Sequence, residues 1–160
     1  MALAMLKSRA SLGMSAPEVS VEVHLANGLP SFQIVGLPEA SVREAKDRVR
    51  SAIVNSQFEF PAKRITVNLA PADLPKEGGR FDLPIAIGIL KAAGYIKSSL
   101  EGYEFIGELG LSGAVRPVSA TIPAIMAAAK AGRILILASA SQEEAALVQG
   151  VKVGLSDHIL

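Results

Sequence analysis

Val19, Val21, Val23 and Leu25 alternate with polar neighbours, the period-two signature of a half-buried strand. Residues 2–12 read as a strand before it, and Phe32 to Val35 as a strand after it. Between the second and third strands, Asn27-Gly28 predicts a hairpin turn, because both residues tolerate positive φ. The period then changes. Val42, Ala45, Val49, Ala52 and Ile53 recur at spacings of three and four, which predicts a helix over roughly 39–56. Glu44 stands four residues before Arg48, the favourable order for a helical ion pair.

Ile65 to Leu69, bounded by Pro61 and Pro71, reads as another strand. A polar loop from Asp73 to Arg80 leads into a helix near 82–94, with Asp82 as expected N-cap and Pro84 in the first turn. Leu83, Ile85, Ala86, Ile87, Ile89 and Leu90 leave that helix almost no polar face, so it should be central and buried. Phe105 to Leu109 and Ala114 to Val118 read as strands joined by a turn at Gly110 to Gly113. A helix over about 121–131 ends at Gly132, followed by a strand at Ile134 to Leu137, a short helix at Gln142 to Gln149 and a strand at Val151 to Leu155. Three strands followed by α-β-α-ββ-α-β-α-β give an α/β or α+β fold, a mixed sheet with packed helices.

Composition narrows the chemistry. Half of the 160 residues are hydrophobic and only 4% aromatic, so the core must be aliphatic. One domain of this length can bury such a core. With no cysteine, thiolate zinc sites, iron–sulfur clusters and cysteine nucleophiles are excluded. The longest apolar run, Leu83 to Leu90, is far short of the ~20 residues of a spanning helix. The charges Lys7 and Arg9 follow the first apolar run rather than precede it, unlike a secretory signal. The expectation is a cytoplasmic chain without membrane contact.

The net charge of +1 hides a local surplus. Residues 43–80 hold eight basic and five acidic side chains, net +3. Arg43, Lys46, Arg48 and Arg50 on the helix, with Lys76 and Arg80 on the loop, are the candidate contacts for phosphates of DNA or for a partner. An ion-paired, solvated helix face is the competing reading. The residues hold no P-loop and no G-x-G-x-x-G, and Gly107, Gly110 and Gly113 read as turn glycines. His24 and His158 lack a metal-type partner nearby in sequence, so no catalytic, cofactor or transition-metal residue is assigned; oxygen-only Mg²⁺ binding stays open.

Three blocks carry a resemblance: GLPEASVREAKDRVRSAI (Gly36 to Ile53), PADLPKEGGRFDLPIAIGIL (Pro71 to Leu90) and FIGELGLSGAVRPV (Phe105 to Val118). With them the chain resembles the N-terminal domain of bacterial magnesium-chelatase-like AAA+ proteins. Ser119-Ala120 departs from that pattern, standing where a basic residue and a glycine are expected. The resemblance implies a Lon protease domain-like fold, shared with a recombination-protein domain and a ribosomal-protein domain, with an unusual left-handed crossover. Lon's serine would align with Arg80 or Phe81 and its lysine with Ile122. None of these can serve in a Ser–Lys dyad, so the resemblance implies a non-peptidase relative.

The resemblance further implies a hexameric DNA helicase that promotes branch migration in recombination and natural transformation. Its ATP and Mg²⁺ would be bound by an AAA+ module beyond Leu160, outside this chain. Alternatives on the same resemblance are a Lon-like peptidase relative and a magnesium-chelatase-type subunit.

Overall fold

The computed structural model describes residues 2–36, 40–74, 76, 78–138, 153–156 and 159. Strands β1 (Ala2–Arg9), β2 (Glu18–Ala26), β3 (Ser31–Val35) and β4 (Arg64–Ala70) form a four-stranded sheet in the order β1-β2-β4-β3. β1 and β4 run antiparallel to β2, and β3 runs parallel to β4. In register, Ala4, Val23, Val67 and Ile34 form one row of the inner face, and all four are buried. The outer face is mixed: Met5 lies opposite Glu22, Glu22 opposite Asn68, and Asn68 opposite Val35.

The expected hairpin at Asn27-Gly28 does not form, because β4 inserts between β2 and β3. The turn instead carries the chain over the end of β4. A Cβ on Gly28 would stand 2.6 Å from the Arg64 side chain at the start of that strand. Gly36 closes β3 at φ +109, and a Cβ there would lie 2.1 Å from the Leu69 carbonyl oxygen, so only glycine fits.

The helix expected over 39–56 is two pieces, α1 (Ala40–Arg43) and α2 (Ala45–Asn55), interrupted at Glu44. α3 (Asp82–Ala92) is the buried central helix that its composition predicts, and it packs on β1 and β2. Gly88 lets it approach closely: a Cβ there would be 2.6 Å from Val23 Cγ2 and 3.0 Å from Leu6 Cδ1.

The single strand expected at Phe105 to Leu109 is divided. β5 (Tyr103–Phe105) joins β8 (Ile134–Ala138) and β9 (Val153–Ser156) in a parallel sheet, ordered β5-β8-β9. β6 (Glu108–Leu109) pairs with β7 (Val115–Arg116) in an antiparallel ribbon. Gly107 causes the division by leaving both sheets: its N–H donates to the Arg80 carbonyl and its own carbonyl accepts from Leu83 N–H, each at 3.0 Å. α4 (Thr121–Lys130) covers the second sheet with a smaller core of Ile106, Ala124, Ile125, Ala128, Leu135 and Leu137. The fold is α+β, with a mixed four-stranded sheet and packed helices. The helix expected at Gln142 to Gln149 lies outside the described residues.

Candidate functional site

The candidate site is built where α2, the start of α3 and the Glu108–Leu109 strand meet. Asp82 was expected to cap α3, but the cap residue is Phe81 and no side chain caps the helix. Asp82 turns inward instead. Its Oδ2 accepts from Arg48 Nε at 2.6 Å and from Leu109 N–H at 3.1 Å, and Oδ1 accepts from Arg48 Nη2 at 3.1 Å. Burial pushes the Asp82 carboxyl above its ordinary range, against the pull of Arg48 and of the Leu109 amide. The hydrogen bond to Asp82 holds Arg48 more firmly protonated, and Glu44 lies 3.8 Å from its guanidinium on the solvent side.

The six candidate cations therefore separate by placement. Arg48 is an internal clasp between α2 and α3. Arg50 is exposed, with its guanidinium carbon 4.4 Å from the centre of the Phe60 ring. Lys46 is half-buried, one turn before Arg50 and on the same face of α2. Arg43 lies on α1, and its side chain is outside the described part.

Lys76 and Arg80, read from sequence as loop contacts to phosphate, are both buried. Lys76 Nζ donates to the carbonyls of Gly36 at 2.9 Å, Leu74 at 2.8 Å and Pro71. Three acceptors match the three donors of an ammonium, so the side chain staples its loop to the end of β3. Burial pushes this amine below its ordinary value, partly opposed by Asp73. Arg80 Nε donates to the Arg9 carbonyl at 2.9 Å and Nη1 to the Ser119 carbonyl at 3.1 Å. Burial lowers its pKa as well.

Sequence reasoning missed Asp82 as the partner of Arg48, which lies 34 residues away in the chain. It also missed a second polar centre. Arg9 Nε and Nη2 grip the two oxygens of buried Glu104 at 2.8 Å each, and Arg133 Nη1 joins Glu104 at 3.0 Å while also pairing with Glu18. Nothing in spacing could have shown this, since the partners are 95 residues apart.

Of the positions aligned with a peptidase dyad, Phe81 is buried and Ile122 half-buried on α4. Among the described residues, no three or more His, Cys, Asp or Glu side chains gather where they could hold a metal ion. No helix there is long and apolar enough to cross a membrane.

A two-helix clasp over an antiparallel–parallel mixed sheet, with the GGRFDL turn at its centre, is the setting in which the comparisons fall. The model of the family described as subunit ChlI of Mg-chelatase matches residues 21–141, and the chain belongs to that family. Among its relatives, Competence protein ComM of Haemophilus influenzae is 62% identical over 149 residues, covering 92% of this chain and 29% of that protein. YifB of Escherichia coli, an uncharacterised protein, is 51% identical over 160 residues, covering 99% of this chain and 32% of its own length. An uncharacterised protein of Mycobacterium tuberculosis is 39% identical over 155 residues, 96% of this chain and 31% of its own. The chain thus spans about a third of the length of the curated relatives it matches.

Proposed function

We propose that this chain is a non-catalytic assembly and DNA-engagement domain, N-terminal in a hexameric AAA+ DNA helicase. The motor would act in the cytoplasm on branched or single-stranded DNA during recombination and natural transformation. ATP and Mg²⁺ would be used by an AAA+ module in the remainder of the parent protein. High identity to a protein named for competence supports the setting. The observation that carries the DNA reading is the outer face of α2. Lys46 and Arg50 share it, and neither forms an ion pair among the described residues. Phosphate contact by such side chains is sequence-independent and weak per subunit, and six copies on a ring would add avidity. Lys76 and Arg80 hold the loop before α3 in place from within and make no phosphate contact in this reading.

The test is fluorescence anisotropy with single-stranded and four-way branched DNA, using the full-length parent protein and the 160-residue chain. Lys46→Glu/Arg50→Glu should weaken binding by the full-length protein at least about tenfold and flatten its salt dependence by roughly two phosphate contacts per engaged subunit. Unchanged affinity and salt slope would remove α2 from the interface. The family description favours a second reading, a magnesium-chelatase-type subunit. Porphyrin binding by the full-length protein, with DNA binding absent, would replace the first reading by the second.

A further inference from the structure

β1 is an edge strand with an open side. The four-stranded sheet ends at β1, and among the described residues no strand pairs with its outer edge. Such an edge presents a row of unpaired N–H and C=O groups, which folded proteins ordinarily shield. No strand pairs with this edge over residues 2–6, and the side chains exposed beside it are apolar: Leu3 is 63% exposed and Met5 56%.

The edge borders a groove. Near its C-terminal end β1 is tied to β5, where Ser8 Oγ donates to the Phe105 carbonyl at 2.6 Å and Arg9 grips Glu104. Towards the N-terminal end the two walls part. Two adjoining cavities of about 370 and 380 Å³ lie between β1 and the segment 97–103, sharing Met5, Leu100 and Glu101. Lys91 and Lys97 line the outer cavity. Lys91 Nζ donates only to the Ser98 carbonyl, at 2.7 Å, and neither lysine has a carboxylate partner among the described residues.

We propose that this groove binds an extended, acidic peptide segment of a partner protein, which adds to β1 as a fifth strand. Main-chain hydrogen bonds along a free edge select an extended peptide, and pockets for alternate side chains give specificity. Leu3 and Met5 supply the apolar surface, and Lys91 and Lys97, which outnumber Glu101 in the outer cavity, select acidic side chains. A second copy of β1 is a poor occupant, because ALAMLKSR carries Lys7 and Arg9 and no acid. Nucleic acid has no repeat of amide donors and acceptors to match a strand edge.

The test uses fluorescein-labelled octapeptides with the whole 160-residue chain. One probe alternates valine with glutamate, a second alternates valine with lysine, and a third is the acidic probe with alternate amides N-methylated. The acidic probe should bind at least about tenfold more tightly than the lysine probe. N-methylation should abolish binding, and the amides of β1 should exchange more slowly in the complex. Lys91→Glu/Lys97→Glu, a surface change, should invert the preference between the two charged probes. Equal binding of all three probes, no binding of any, or protection of β1 by self-association of the chain alone would each overturn the proposal.

Discussion

At the scale of residues, the decisive group is Asp82, an acid with a side chain only 1% exposed. Its folded-state pKa lies above the ordinary value because burial outweighs the help of Arg48 and Leu109. The native state therefore keeps its proton through the interval between the unfolded and folded values. Stability falls as pH rises through that interval and carries no penalty below the ordinary carboxyl value. Arg48→Met removes the guanidinium and leaves the buried carboxylate alone, which should cost about 3 kcal/mol at neutral pH. Without Arg48 the carboxyl shifts further up, so acid restores the variant more than the wild type. Urea unfolding at about pH 7 and at about pH 3.5, below the ordinary carboxyl value, reads this directly. A stability gap of the same size at both pH values would show that Asp82 is not the group responsible. Lys76 makes the same point from the other sign of charge: a lysine in a polar loop reads as solvent-facing, yet three carbonyls hold it inside.

Elements were legible in proportion to how local their causes are. The alternation of Val19 to Leu25 and the apolar run of Leu83 to Leu90 each give the right element, because burial of one face is written into the period. The insertion of β4 between β2 and β3 was not legible. Asn27-Gly28 serves a tight hairpin or a wider crossing equally well, and only the pairing of distant strands decides. The same holds for the candidate site: the basic residues of α2 could be read, but not which of them Asp82 would turn inward. One sequence departure does have a local physical reading. Ala120, standing where a glycine is expected, precedes α4 with φ 57 and ψ 42, in the left-handed region. An L-residue there costs about 1–2 kcal/mol. Glycine regains about 0.4–1 kcal/mol less than that through the looser unfolded chain. Ala120→Gly should thus stabilise the protein by about 0.5–1 kcal/mol, seen as a rise in thermal midpoint. A fall would mean that the Ala120 methyl makes packing contacts worth more than the strain.

At the scale of the whole molecule, two aliphatic cores meet at the second sheet, and a buried polar network crosses the same boundary. The larger core lies under the four-stranded sheet and α3 and takes in Phe105 and Ala138 of the second sheet, while the smaller lies between α4 and Leu135 and Leu137 of that sheet. Arg9 on β1 reaches Glu104 on β5, and Arg133, just before β8, reaches both Glu104 and Glu18 on β2. Arg9 also donates to the carbonyls of Ala16 at 3.2 Å and Ala127 at 3.4 Å, so one guanidinium touches both units. The hydrogen bond from Arg133 holds the Glu18 carboxyl below its usual range. A depressed carboxyl stabilises above its unfolded value, and that contribution is lost as pH falls through the folded value, so acid loosens this joint. Glu104→Gln tests the joint at constant shape. It leaves the Arg9 guanidinium, with a side chain 9% exposed, buried without its counter-ion. The cost should be about 3 kcal/mol, against at most about 1 kcal/mol for an exposed pair. Because Glu104 belongs to the second sheet, amide exchange should accelerate most in α4, β5 and β8, while β2, β4 and α3 keep more of their protection. Equal acceleration everywhere would make the two cores one cooperative unit and the network a local contact. Preferential loss in the second sheet would instead identify the Arg9–Glu104–Arg133 network as the joint between the two units.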